Sequence, residues 1–316
     1  MPSKPNKVVA IPAPMKRASI NVGFTCTNDC VFCVAADKRS FPDKTTAEIK
    51  HEMEQAYVGG ARDVVFSGGE CAIREDICDL VAFARDQGFL AVNIQTNGRA
   101  FASKAFCKKM ILAGMTVLNP ALHGHTEELH DSLTRSKGSF RQTVLGMHNM
   151  RKLSGGRVQV LVNTVVVKKN YRHLPDIARL LIGLRVHAYQ FAFVHAMGNA
   201  LRSFASVVPR KTDVMPYIKE AIELGKRAGL HVGVEAVPLC LMQGYEKHVS
   251  EFYIPSVELW DRGERIPKFE DIRIKYGKVK FPQCAACCHK DYCEGPWKEY
   301  PEYYGDEEFQ PIVSTQ

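Results

Sequence analysis

The chain has 316 residues, 46% hydrophobic and 24% charged, which supports one large α/β domain with a smaller appendage and gives no compositional case for disorder. Its net charge is +8, but Lys and Arg are scattered, so no dedicated nucleic-acid surface is expected. Neither a secretory signal nor an apolar run of ~20 residues occurs; a cytoplasmic location is expected, where eleven cysteines read as metal ligands, not disulfides.

Residues 1–16 make an amino-terminal extension, and Arg17–Thr25 (RASINVGFT) predicts a first strand running into cysteines that begin at Cys26. Thr45 and Glu48 have capping-box spacing, and Ile49, Met53, Ala56 and Tyr57 share a helical face before Gly59-Gly60. Asp63–Ser67 is a second strand, ending in Gly68-Gly69-Glu70 and followed by a helix over about Arg74–Gln87. Strand Leu90–Thr96, helix Phe101–Ala113, strand Met115–Leu122 and helix Ser139–Leu153 come next. Strand Val158–Val167, helix His173–Leu184, strand Ala188–His195 and helix Thr212–Ala228 complete about six alternations. Such alternation predicts parallel strands with right-handed crossovers, in an open sheet or a barrel over residues 17–234. From 235 to 316, prolines, aromatics and five cysteines replace that rhythm, so a small domain organised by metal is expected.

Cys26, Cys30 and Cys33 form C-x3-C-x2-C on the loop after the first strand. Three thiolates can hold three corners of a [4Fe–4S] cube and leave the fourth iron open to a ligand. Zinc ordinarily takes a fourth Cys or His, and none lies close in sequence. The carboxyl end of a strand is also where parallel α/β barrels gather their active sites.

This spacing, with Phe32 as the aromatic residue before the last cysteine, resembles the signature of the radical S-adenosylmethionine (radical SAM) superfamily. The resemblance covers about residues 17 to 235 and implies a partial (β/α)6 TIM-type barrel with a small cysteine-rich C-terminal domain. It implies that SAM chelates the open iron through its amino and carboxylate groups. One electron from the cluster would then cleave the sulfonium, and a 5′-deoxyadenosyl radical would take hydrogen from the substrate. Gly68, Gly69 and Glu70 match the superfamily's GGE motif: the glycines would let backbone approach the methionine part of SAM, and Glu70 would pair with its ammonium. Thr96-Asn97-Gly98 resembles the TNG loop. Leu122–Phe140 resembles the loop after the fourth strand of SPASM-type members, which makes Arg135 a candidate partner for the SAM carboxylate; Ala121 stands where a Ser is common. Asn163 is a candidate ribose contact.

The tail contains C-x2-C-C-x4-C: Cys284, Cys287, Cys288 and Cys293, with Cys240 upstream. Four sulfurs close a [4Fe–4S] site. Neighbouring side chains point apart in most backbones, so the expected set is Cys240, Cys284, Cys287 and Cys293; a set with Cys288 in place of Cys240 stays open. The pattern is similar to twitch or shortened SPASM extensions, whose auxiliary cluster would accept the electron left after hydrogen abstraction. A structural zinc knot is the competing reading.

His123, His125 and His130 (H-x-H-x4-H) are expected to make loop or substrate contacts in place of a zinc site. His195 and His123 are the candidate catalytic groups. Cys71 is either a small buried thiol or a residue facing the ligand pocket, Cys78 and Cys107 are core residues, and Tyr300, Tyr303 and Tyr304 are expected to pack around the tail cluster. The expected substrate is a small biosynthetic intermediate or a short peptide, with a flavodoxin or ferredoxin as reductant. About sixteen residues precede the first strand, little chain for gripping a leader peptide, which favours the small molecule. A peptide maturase and a two-cluster electron carrier are the alternatives, although a carrier leaves GGE, TNG and the barrel rhythm unexplained.

Overall fold

The computed structural model describes residues 15–313; of the amino-terminal extension, only Met15 and Lys16 fall among them. Strands β1 (Arg17–Asn21), β2 (Asp63–Ser67), β3 (Ala91–Thr96) and β4 (Val117–Pro120) alternate with helices α1 (Thr46–Val58), α2 (Ile77–Gln87) and α3 (Lys104–Ala113). Helices α4 (Glu127–Thr134) and α5 (Ser139–Ser154) lead to β5 (Gln159–Val166), α6 (Leu174–Gly183) and β6 (Ala188–Phe193). Two single turns, α7 (Asn199–Arg202) and α8 (Phe204–Val207), precede α9 (Lys211–Arg227) and β7 (His231–Glu235). All neighbouring strands from β1 to β7 pair in parallel, and the sheet does not close. It is the partial barrel anticipated, with β7 added after the six strand–helix units.

Local chemistry explains the elements. The Thr45 hydroxyl accepts the Glu48 amide while the Glu48 carboxylate accepts the Thr45 amide at 2.6 Å, a complete capping box. Strand β2 is buried along four of its five residues, as a strand covered on both faces must be, while β5 alternates strictly.

Two helices begin later than the sequence spacing predicts. Arg74 is drawn out of α2 because its guanidinium bonds Asp76 and the Lys44 carbonyl. Phe101 falls in a 3-10 turn, Arg99–Ala102, and the Ser103 hydroxyl then caps α3. Helix α4 falls within the Leu122–Phe140 stretch expected as a loop; Thr126 caps it, Glu127 and Glu128 fill its first turn, and Leu129, His130 and Leu133 face inward.

The tail also departs from expectation. Strands β8 (Val257–Asp261) and β9 (Glu264–Ile266) extend the main sheet, β8 pairing with β1 in parallel and with β9 in antiparallel fashion. Glu258 at the centre of β8 is completely buried, and Lys16 and Arg265 pair with it at 2.8 Å each. Short helices α10 (Phe269–Ile272) and α11 (Glu299–Tyr304) complete the described chain. No helix among the described residues is long and apolar enough to cross a membrane.

Packing of α9 on the sheet fixes the β6–β7 edge. Tyr189 on β6 donates to the Ala221 carbonyl at 2.7 Å. A Cβ at Gly225 would lie 2.3 Å from Val232 Cγ2 and 2.5 Å from the Tyr189 hydroxyl. In an open helix, Gly→Ala would gain about 1 kcal/mol; here overpacking outweighs that gain. Gly225→Ala is expected to lower unfolding free energy by about 1–2 kcal/mol, measurable by urea denaturation under anoxic conditions.

Candidate active site at the carboxyl mouth of the sheet

The predicted site residues gather at the carboxyl ends of successive strands. Cys26, Cys30 and Cys33 follow β1, Gly68-Gly69-Glu70 follow β2, and Thr96-Asn97 end β3. Asn163 lies on β5, and His195 follows β6.

The cysteine loop is pinned by backbone contacts on several sides. The Asp29 and Val31 amides donate to Thr134 and Leu133 at the end of α4, at 3.0 and 2.9 Å. Asn199 grips the loop twice, with its side chain on the Cys30 carbonyl at 2.9 Å and its own amide on the Cys33 carbonyl at 3.0 Å. Phe32 is buried and meets His123 edge-on at 4.7 Å. Burial pushes the Cys30 thiol up to about 12, with the adjacent Cys33 and Cys26 sulfurs adding to the rise; burial also raises Cys26. Bare thiolates are disfavoured here, and a cationic iron core supplies the charge that would stabilise them.

The two glycines after β2 have a tighter role than the expected approach to SAM. A Cβ on Gly68 would sit 2.2 Å from the Gly23 carbonyl oxygen, and one on Gly69 would sit 2.3 Å from that of Thr25. The Gly69 and Glu70 amides donate to these same oxygens at 2.8 Å each. The motif therefore locks the loop after β2 onto the cysteine loop. Glu70 is 3% exposed, and its carboxylate accepts from Thr96 Oγ1 (2.5 Å), the Asn97 amide (2.6 Å) and the Ala72 amide (2.9 Å). Burial raises the Glu70 pKa, and these donors oppose the rise. Of the roughly four acceptor sites on a carboxylate, one is left for a ligand ammonium.

Asn97 continues the lock, its side chain donating to Thr27 at 2.9 Å. Arg99 reaches the Thr27 carbonyl at 2.7 Å and the Asn28 side chain at 2.9 Å. Arg135 ends α4 with φ +51° and stands half exposed, 3.3 Å from Asp29. Asn163 provides the clearest opening for a ligand: its Oδ1 is buried without a hydrogen-bond partner, at a cost of about 1–3 kcal/mol unless a donor arrives. The donor set of three cysteines, Glu70 and this orphaned amide fits a [4Fe–4S] cluster with SAM.

The candidate catalytic histidines differ. His123 is buried, its Nδ1 accepts from the Val165 amide at 3.2 Å, and burial followed by the nearby His130 lowers its pKa well below the ordinary value. It is held neutral as a packing group, not as a proton carrier. His195 is partly exposed, stacks on Trp297 at 3.8 Å, and lies 3.2 Å from the Glu299 carboxylate. Trp297 and Glu299 come from the tail, and Lys278 Nζ lies 4.0 Å above the opposing Trp297 ring. Tyr300 is buried against Phe193 and Phe309, whereas Tyr303 is exposed and stacks on Phe204. Tyr304 packs on Tyr300. Cys71 and Cys107 are fully buried, and Cys78 is partly buried beside Met110.

In the tail, Cys240, Cys284, Cys287 and Cys293 line one cavity, partly open to solvent. Cys288 is exposed and lies outside it. Burial pushes the Cys240 thiol up to about 12, followed by repulsion from Cys293, Cys284 and Cys287. Lys280 and Lys290 share the cavity wall.

Sequence reasoning missed Arg99, Asn199, Lys278, Trp297 and Glu299, each brought in from a distant segment. The Gly-Asn pair after β6 and one of only two tryptophans were the available signals.

An open parallel barrel with three clustered thiols at its mouth defines an iron–sulfur enzyme of the α/β-barrel class. The model of the Radical SAM superfamily matches residues 20–181, half of the chain, and the protein belongs to that superfamily. It is 24% identical to the AdoMet-dependent heme synthase of Methanosarcina barkeri, covering 85% of this chain and 87% of that relative. It is 28% identical to the PqqA peptide cyclase of Bradyrhizobium diazoefficiens, over 60% of this chain and 49% of the cyclase. Streptococcus suis SuiB bound to S-adenosylmethionine superposes with a TM-score of 0.64 at 15% identity, covering 96% of this chain and 76% of SuiB.

Gly69→Ala forces a Cβ into the backbone of the cysteine loop. Iron bound after anoxic reconstitution is expected to fall by about four atoms per chain, the content of one cube, as measured by iron assay and the loss of brown absorbance.

Proposed function

We propose that the enzyme abstracts hydrogen from a small biosynthetic intermediate and completes an oxidation or bond formation on it, with a second cluster in the tail. The grouping of Cys240, Cys284, Cys287 and Cys293 around one cavity carries this reading. Four thiols converging on one cavity match the four ligands a closed cube needs. When bound, a [4Fe–4S] cluster on Cys26, Cys30 and Cys33 supplies reductive cleavage of SAM to a 5′-deoxyadenosyl radical, and the tail cluster supplies an electron acceptor. Around that chemistry the chain's own residues orient and exclude. Glu70 and Asn97 set the loop that faces SAM, Asn163 offers its free oxygen to a ribose hydroxyl, and Arg135 serves the carboxylate end. The His195–Trp297 stack, beside the carboxyl end of β6, would help keep water from a carbon radical. A flavodoxin or ferredoxin supplies the electron.

The match to the heme synthase over 85% of this chain and 87% of that relative supports a small-molecule substrate. The partial match to the peptide cyclase supports a second reading, a short peptide. Anoxic reconstitution is expected to give about eight irons per chain, and dithionite with SAM should yield 5′-deoxyadenosine. Cys287→Ala should reduce iron to about four, while Cys288→Ala should leave it unchanged. Fractions from deuterium-grown cells of the source organism then separate the substrates. Label entering 5′-deoxyadenosine from the small-molecule fraction supports the first reading, and label from the peptide fraction replaces it with the second.

A further inference from the structure

The three histidines of H-x-H-x4-H do not act together. His123 and His130 stack within the core at 5.7 Å. His130 Nδ1 accepts the His123 amide, and its Nε2 lies 3.2 Å from Ser139 Oγ. His125 leaves this pair. Its ring tilts toward His173, from the turn after β5, with centroids 5.1 Å apart. Asp176, in the first turn of α6, joins them, and one ligand atom from each of His125, His173 and Asp176 lies within 4.8 Å of the others.

We propose that His125, His173 and Asp176 form a divalent transition-metal site of the zinc class, separate from both cysteine groups. Imidazole and carboxylate suit zinc and related ions, and two histidines with one carboxylate leave coordination positions open for water or another oxygen ligand. Two further observations point to a missing partner. His125 Nδ1 is buried and has no hydrogen-bond partner among the described residues, although imidazole nitrogens removed from water ordinarily find one. The Asp176 carboxylate is divided: Oδ1 takes Arg179 at 2.8 Å, while Oδ2 faces His173 Nδ1 at 3.7 Å. That second distance is too long for a hydrogen bond and leaves Oδ2 available as a single-oxygen ligand. Arg179 also pairs with Glu220 at 3.0 Å, so its charge is shared and opposes a cation less. The site rests on the loop after β4 and the turn after β5, beside the mouth, and involves no residue assigned to SAM or to either cluster.

The test uses enzyme with its clusters reconstituted, equilibrated anoxically with zinc sulfate and then freed of loose metal by gel filtration. The expected result is one retained zinc per chain, with a zinc K-edge spectrum showing only nitrogen and oxygen neighbours. His173→Ala and Asp176→Asn should each lower zinc retention at least tenfold without changing iron content. Both side chains are close to half exposed, so folding is expected to survive, and an unchanged iron content reports that it has. No retained zinc, sulfur neighbours in the spectrum, or retention indifferent to both substitutions would overturn the proposal.

Discussion

Everything at the mouth depends on one close backbone contact, that between Gly68-Gly69 and the chain from Gly23 to Thr25. The space a side chain would need at either glycine is already filled by carbonyl oxygens, so the loops after β1 and β2 touch with nothing between them. Glu70 then carries the constraint to β3 by accepting from Thr96 and Asn97, and Arg99 returns it to Thr27 and Asn28. The loop that presents three sulfurs is therefore clamped by its neighbours, although it contains little regular structure. Such preorganisation matters for a site where burial makes the Cys26 and Cys30 thiols costly to ionise.

The tail meets the barrel through polar and charged contacts as well as through stacked rings. Lys211, the first residue of α9, is buried with its Nζ 3.2 Å from the centroid of Phe193 and 2.8 Å from the Ala236 carbonyl. Burial, with the nearby Lys278, lowers its pKa well below the ordinary value. Lys278 lies between Glu251 and Glu294 at 3.6 and 3.8 Å while covering Trp297. Burial lowers its pKa, and those carboxylates oppose the shift. The tail thus holds Lys278 with its own carboxylates, while Lys211 and His195 tie it to the barrel rim.

Much of this was legible in the chain because the signals were local. Cys26, Cys30 and Cys33 declare themselves by spacing, GGE and TNG by following strands, and the helices by Thr45, Gly59 and Gly114 at their ends. Whether Cys240 or Cys288 completes the tail set stayed open in the sequence, because only the fold shows Cys240 beside the cavity and Cys288 exposed. What escaped was relational. Glu258, at the centre of a short strand in a proline- and aromatic-rich tail, gives no hint that Lys16 and Arg265 will neutralise it inside a sheet. His125 shares a spacing pattern with His123 and His130, yet on the loop before α4 it lies beside His173 and Asp176. The glycines of GGE were identified by position, but their steric duty toward the neighbouring loop becomes visible only when the strands are side by side.

The pairing of β8 with β1 bears on how this chain can be divided. Strand β1 carries the cysteine loop, and Arg17 to Ile20 are registered against Val257 to Trp260. Asp261 at the end of β8 holds both Asn21 and Lys38, at 2.8 and 2.9 Å. A fragment ending after the last helix of the barrel would leave β1 as a naked edge, with open amides and carbonyls that invite another chain to pair there. The tail is consequently no detachable cassette. Grafting it onto a different barrel, or trimming it to obtain a simpler enzyme, would disturb the strand that carries Cys26, Cys30 and Cys33.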